Sequence, residues 1–155
     1  MNLTAAAVFT GVFIALYVGH SLGDHWIQTS CQSETKGEDN WAGRLACARH
    51  VATLTLTKGI LLAPVAFLLD LPLTAVGITL GMGVDAISHY WADRRFTLLR
   101  LAQALGREGY PEYVTIVRKP GGEADTTGPG TGSFHLDQSW HHLWLLIAAL
   151  IIATV

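Results

Sequence analysis

Charged side chains are scarce in this chain, where they make up 14% of the 155 residues against 50% that are hydrophobic. An ordinary soluble domain carries about a quarter charged residues, and one of this length keeps about a third of its unfolded surface in water. The deficit therefore argues against a soluble globular domain, and the hydrophobic content argues against a disordered chain. The net charge of −2 provides no basic surface, so we expect no nucleic-acid partner.

The few charges leave long segments with almost none. Residues 1–23 and 138–155 contain no Asp, Glu, Lys or Arg, and residues 59–84 contain only Asp70. A helix needs about 20 apolar residues to cross a bilayer. We therefore predict an all-α polytopic membrane protein, a single integral membrane domain with four transmembrane helices and a short cytoplasmic amphipathic helix. In this prediction the domain covers residues 1–155, the spans lie at about 3–22, 51–69, 71–91 and 139–155, and the cytoplasmic loops are 23–50 and 92–138.

One alternative is that each apolar segment is a buried helix of a soluble all-α bundle. The N-terminal segment is interpreted as a retained span and not as a cleaved signal peptide. It lacks a basic start, its apolar stretch is long, and no small-x-small cleavage site precedes Asp24.

The connections between the spans carry their own signals. Asp70-Leu71-Pro72 predicts a tight hairpin between the second and third spans, with Pro72 in the first turn of the next helix. Residues 96–105 predict an amphipathic helix at the lipid headgroups, with a cytoplasmic extension of the third span as the alternative. The Gly-, Thr- and Pro-rich residues 121–133 predict a flexible loop.

Basic residues predict the orientation, because cytoplasmic loops are enriched in Lys and Arg. With four spans, nine of the ten basic residues fall in the two polar loops on one side: Lys36, Arg44, Arg49, Arg94, Arg95, Arg100, Arg107, Arg118 and Lys119. We therefore expect a cell-membrane protein with both loops in the cytoplasm and both termini outside. The two cysteines, Cys31 and Cys47, would face a reducing compartment and predict neither a disulfide nor a thiolate zinc site.

Histidine and aspartate recur at the cytoplasmic ends of all four predicted spans. Several are four residues apart, which places them on one helix face, one turn from each other. Two such ligands can hold one metal ion, and imidazole with carboxylate suits Zn, Mn or Fe. The predicted metal ligands are His20, Asp24, His50, His89, Asp93, Asp137 and His141.

A structural role for these polar residues is also open. A single His–Asp pair at a helix end is more often a hydrogen-bonded cap than a metal site, and the whole set could be a structural polar network. Several pairs at one membrane depth favour a functional site, since ionisable groups near hydrocarbon are costly unless paired, hydrated or metal-bound. The two deepest charges are Lys58 and Asp85. They would either form an ion pair, or Lys58 would extend to the interface and leave Asp85 neutral or bound to metal.

The His and Asp positions resemble those of a family of small bacterial and phage integral membrane proteins catalogued as a domain of unknown function. The resemblance spans nearly the whole chain and rests on His20-x3-Asp24-x3-Gln28, His50, His89-x3-Asp93-Arg94 and Asp137-Gln138-x2-His141. It implies a shared intramembrane polar site. More loosely, the chain is similar to multi-span proteins described as membrane-bound metal-dependent hydrolases, which also place His and Asp at helix ends.

The first functional hypothesis is a metal-dependent hydrolase that acts on a membrane-associated substrate. A water held by one or two divalent ions would be the nucleophile, and Asp85 would be the catalytic base. The substrate would be a lipid or lipid-linked phosphoester or amide from the bilayer, with its phosphate bound by Arg49, Arg94 and Arg95.

Two other classes of function remain open. In a proton or metal carrier, the same cluster would bind its ion in transit, although the outer halves of the spans offer no continuing chain of polar groups. In a non-catalytic membrane regulatory or structural factor, the cluster would only specify helix packing. The sequence also leaves open whether the protein forms a homo-oligomer.

Overall fold

The computed structural model describes residues 3–107 and 109–155 and is mostly helical. Its elements in chain order are α1 (Leu3–Leu22), a π-helical turn (Gly23–Ile27), α2 (Ser30–Thr35), α3 (Trp41–Leu68), α4 (Ala75–Asp93), α5 (Phe96–Ala104), α6 (Gly109–Tyr113), β1 (Ile116–Val117), β2 (Ala124–Asp125) and α7 (Gly132–Thr154). The two strands pair antiparallel, with Ile116 opposite Asp125.

In the part of the chain that the structure describes, three helices are long and apolar enough to cross a membrane: Leu3–Ile27, Trp41–Leu68 and Gly132–Thr154. Their outer faces expose large apolar side chains, as at Phe67, which is 85% exposed. Contiguous exposed apolar surface of this kind is rare on soluble proteins and typical of lipid-facing helices. The predicted all-α fold is therefore confirmed, with three helices that could span a membrane, and the count of four spans stays a prediction. The fourth helix, α4, is not among the three, because its 19 residues include two aspartates and His89.

Helices α3 and α4 begin at residues other than the predicted ones. Helix α3 begins at Trp41 and not at residue 51, because the Asn40 side chain caps it by accepting from the Gly43 N–H at 2.8 Å. Helix α4 begins at Ala75, where the Thr74 hydroxyl accepts from the Gly77 N–H at 2.9 Å. The prediction for Pro72 was therefore wrong, because this residue lies in the connection before α4 and not in its first turn.

The segment between α5 and α7 also differs in part from its prediction. A helix is present at the predicted place as α5, which ends at Ala104, and its position at the lipid headgroups stays a prediction. The expected flexible loop contains strand β2, and it gives way to α7 at Gly132, capped by Thr131. Helix α7 therefore begins before residue 139, the predicted start of the last span.

The helices α1, α3, α4 and α7 alternate in direction, so their ends gather at two levels. The apolar core lies away from one end of the bundle and includes Val8, Val12 and Leu16 of α1 and Leu145, Ala148 and Ile152 of α7. The end of α1, the start of α3, the end of α4 and the start of α7 meet at that end. That end of the bundle holds the histidines and aspartates predicted as metal ligands.

Helices α4 and α7 approach closely because α4 has a glycine in the contact. A Cβ built on Gly81 would lie 2.7 Å from the carbonyl oxygen of Ala148. Small residues at such positions let helix backbones pack directly against each other, as is typical of membrane helices. This contact fixes the position of α4 and hence of the polar residues at its end.

Candidate metal centre

Four histidines, one from each of the main helices, meet inside the bundle. They are His20 on α1, His50 on α3, His89 on α4 and His141 on α7, and none is more than 2% exposed. The ring centroids of His89 and His141 are 3.9 Å apart. His20 lies 5.2 Å from His89 and 5.0 Å from His141, and His50 lies 5.2 Å from His89. Residues from both ends of the chain thus share one small volume.

Three aspartates complete the cluster, each paired with a histidine on its own helical segment. The predicted four-residue spacings give His20–Asp24 at 3.6 Å, His89–Asp93 at 3.2 Å and Asp137–His141 at 3.3 Å between nitrogen and oxygen. Asp24 lies in the π-helical turn after α1, a local geometry often found at functional sites. From there Asp24 Oδ1 also reaches His50 Nε2 at 3.2 Å.

Asp93 is the residue that connects α3, α4 and α7. Its Oδ2 lies 3.2 Å from the Nε2 atoms of both His50 and His89, and its Oδ1 lies 3.8 Å from His141 Nε2. The side chain is 2% exposed. A buried carboxylate surrounded by three imidazoles is costly to desolvate unless a proton or a metal ion compensates its charge.

The donor atoms of the cluster fall into three overlapping groups, and within each group they lie within 4.8 Å of one another. The groups are His20–His89–His141, Asp24–His50–His89 and Asp93–Asp137–His141. All seven residues predicted as metal ligands are therefore brought together at one end of the bundle.

Several of these atoms are close to each other but not hydrogen-bonded. Among the described residues, buried atoms without a hydrogen-bond partner include His20 Nε2, Asp24 Oδ1, Asp93 Oδ2 and His141 Nε2. Buried polar atoms normally have partners. Nitrogen and oxygen atoms that converge without hydrogen-bond geometry are suited to a shared cation, and this donor set fits Zn, Mn or Fe.

Lys36 also belongs to the site, although the sequence did not predict it. This residue follows α2, and its Nζ lies 2.8 Å from Asp93 Oδ1. The Arg94 guanidinium holds the segment in place by donating to the carbonyl oxygens of Lys36, at 2.8 Å, and Glu38. No local pattern marks Lys36, because its contact with Asp93 joins two distant parts of the chain.

Asp85, the predicted catalytic base, has a different environment. Its Oδ2 accepts from Lys58 Nζ at 2.6 Å, and both side chains are at most 2% exposed. The ion-pair alternative is therefore confirmed, and an extended Lys58 is not found. Asp85 belongs to none of the three donor groups, so its role as a base stays a prediction.

A cavity of about 530 Å³ opens beside the cluster. Three of the cluster carboxylates, those of Asp24, Asp93 and Asp137, are part of its lining, together with Lys36 and Arg95. A molecule in this cavity would thus reach the candidate ligands directly. Of the three arginines predicted to bind phosphate, Arg95 lines the cavity, whereas Arg94 is engaged with backbone carbonyls and Arg49 is not part of the lining.

The remaining histidines lie outside the donor groups. His25 and His135 are exposed, and His142 packs against Tyr17 with ring centroids 4.9 Å apart. Cys31 is exposed, whereas Cys47 is buried with its Sγ 3.5 Å from the Tyr90 carbonyl oxygen. Among the described residues, none of these three histidines and two cysteines belongs to a donor group.

Comparison with protein-family models, with curated proteins and with solved structures gives no match. The resemblance drawn from the His20, His89 and His141 motifs therefore stays a prediction. What the protein does must follow from the geometry of its own site.

Proposed function

We propose that this protein is a membrane-embedded metal-dependent hydrolase that acts on a membrane-associated substrate. The single observation that carries the proposal is the buried convergence of four imidazoles and three carboxylates beside an open cavity. A purely structural network would not need a cavity at its carboxylates. In four-helix proteins, facing side chains of this kind build one- or two-metal sites.

The position of each residue in the site indicates its proposed role. The histidines, which are the more deeply buried ligands, would hold the ion, and Asp24, Asp93 and Asp137 would complete its coordination at the cavity wall. A divalent ion there would polarise a water and the scissile bond together. Lys36 would neutralise the remaining charge of Asp93 and offer a proton or a hydrogen bond to the leaving group.

In the proposed topology α4 also crosses the membrane, as the third of four spans in chain order. Apolar residues on its outer face, such as Ile87, which is 73% exposed, support this placement. The site then lies on the side of the two basic loops, which we propose to be the cytoplasmic side, with both termini outside. The substrate would enter from the headgroup plane of that leaflet.

A carrier function has less support. Beyond the cluster, the interior of the bundle is filled by apolar side chains, including the fully buried Val12, Leu16 and Leu145. In the described part of the chain, the only buried charges deeper in the bundle are Lys58 and Asp85, which neutralise each other. An ion in transit would need polar groups along its whole path.

Hydrolysis of chromogenic substrates tests the proposal. We expect the purified protein loaded with Zn, Mn or Fe to cleave bis(p-nitrophenyl) phosphate or p-nitrophenyl acetate, and chelation to stop the reaction. His141→Ala should lower the rate by about 100-fold or more, since even indirect partners of metal ligands cost about 10–100-fold. The control is His135→Ala, an exposed histidine on the same helix.

Two results would contradict the proposal. The first is a metal-loaded protein that cleaves neither compound with any of the three metals. The second is a rate for His141→Ala equal to that of His135→Ala, which would mean that the cluster takes no part in the hydrolysis.

A further inference from the structure

The cavity beside the cluster has two chemically different parts. One part is the polar floor formed by the cluster carboxylates. The other is a wall of apolar side chains from α5 and the start of α7: Phe96, Leu98, Leu99, Phe134 and Leu136. A ligand that fits both parts must be amphiphilic, with its polar end toward the metal ligands.

The charge of the lining indicates the sign of that polar end. Among the described residues, the cavity is lined by three carboxylates, from Asp24, Asp93 and Asp137, and by two basic side chains, Lys36 and Arg95. With neutral imidazoles these described side chains carry a net charge of −1, and one bound divalent ion changes it to +1. A metal-loaded cavity would therefore attract an anion.

The two basic side chains are placed to receive such an anion. Lys36 Nζ lies at the boundary between cavity and cluster, 2.8 Å from Asp93 Oδ1. Arg95 is exposed, and its Nη2 donates to the Ser33 carbonyl oxygen at 2.8 Å, which leaves other guanidinium N–H groups for a ligand. An arginine with unused donors and a lysine beside a metal site are typical of phosphate recognition.

The apolar wall continues onto a helix that is itself amphipathic. On α5, Leu99 lines the cavity and is 43% exposed, while Ala102 is buried against the protein. A helix of this kind lies at the headgroup level of a bilayer with its apolar residues toward the acyl chains. The cavity volume of about 530 Å³ is that of a small-molecule site. It would hold a headgroup and the adjoining part of one chain, with the remainder in the bilayer.

We propose that this cavity binds a phosphate-bearing membrane lipid, with the phosphate between the metal, Lys36 and Arg95 and the first methylenes of an acyl chain along Leu98 and Leu99. The assignment rests on the proposed function. Without a bound metal ion the carboxylates outweigh the positive charge of Lys36 and Arg95, and the metal ion makes the site positive enough to bind an anion. The assignment narrows the substrate class from any membrane-associated ester or amide to a lipid phosphoester.

Binding of phosphonates, which are not hydrolysed, tests this assignment without catalysis. The probes are hexylphosphonate, methylphosphonate as the headgroup alone, and hexanol as the chain alone, each titrated calorimetrically into the metal-loaded protein in detergent. We expect hexylphosphonate to bind about 30-fold or more tighter than methylphosphonate, because each buried methylene contributes up to about fourfold. We also expect chelation of the metal to weaken its binding.

Two matched pairs of variants locate the binding site. Arg95→Gln should weaken hexylphosphonate binding about tenfold or more, whereas Arg107→Gln, an exposed arginine that does not line the cavity, should not. Leu99→Asn should remove most of the preference for the hexyl chain, whereas Leu105→Asn, at a position that is 67% exposed, should leave it unchanged.

The outcomes separate this inference from the proposed function. Metal-loaded protein that hydrolyses the chromogenic substrates but binds hexylphosphonate no tighter than methylphosphonate would overturn the lipid assignment alone. Equal effects of Arg95→Gln and Arg107→Gln would overturn it as well. Hexylphosphonate binding that depends on Arg95 in a protein without hydrolytic activity would support the lipid site and contradict the hydrolase.

Discussion

The ion pair between Lys58 and Asp85 allows a quantitative test of the structure. The two charges are 2.6 Å apart and almost completely buried between α3 and α4. Replacing either residue alone, by Lys58→Met or Asp85→Val, leaves the other charge without a partner. Removing one member of a buried pair costs about 3–5 kcal/mol, whereas replacing both with apolar residues is often neutral or stabilising.

The stability of the double variant therefore shows whether Lys58 and Asp85 interact or contribute independently. If the residues acted independently, the two costs would add to about 6–10 kcal/mol. Because they neutralise each other, we expect the double variant to be more stable than either single variant, with a coupling energy of about 3 kcal/mol or more.

The assay is reversible unfolding in mixed micelles, with the free energy of unfolding measured for the four proteins of the cycle. Lys119→Met, at an exposed position, is the control and should change stability by about 0.5 kcal/mol or less. Additive costs within about 0.5 kcal/mol would refute the pairing. A double variant that folds and binds metal but no longer hydrolyses substrate would support the predicted catalytic role of Asp85.

Two further predictions concern the packing of α4 and the segment that carries Lys36. Gly81→Ala should destabilise the protein by about 1–3 kcal/mol, because its Cβ would lie 2.7 Å from the Ala148 oxygen. Gly83→Ala, with open space around its Cβ, should be neutral or stabilising by up to about 1 kcal/mol, and equal effects in thermal unfolding would be inconsistent with the α4–α7 contact. Arg94→Gln should release the segment that carries Lys36 and increase its backbone hydrogen exchange, and unchanged protection there would show that the arginine does not hold it.

The sequence was sufficient to predict that the histidines and aspartates at the helix ends would lie close together. Connected antiparallel helices bring the end of one helix beside the start of the next, so polar residues at alternating ends share one level of the bundle. In a chain with so few charges, His20, His89 and His141 at that level pointed to a single cluster. The four-residue spacing then predicted the His–Asp pairs on each helix.

Some features could not be predicted from local patterns. Helix α3 begins before its apolar stretch, because the Asn40 cap and not hydrophobicity determines its first turn. Strands of two residues are too short to show an alternating pattern, so neither β1 nor β2, which lies within the glycine-rich loop, left a signal in the sequence. The contact of Lys36 with Asp93 depends on Arg94 holding a distant segment, which is a tertiary effect.

The metal content of the purified protein tests the central claim most directly. After incubation with Zn, Mn or Fe and removal of free ions, we expect about one bound ion per chain or more. The variant His89→Ala with Asp93→Ala should fall below about 0.2 ion per chain, while His135→Ala should bind as the unaltered protein does. A content below about 0.2 ion per chain for the unaltered protein with all three metals, unchanged by the double substitution, would contradict the account.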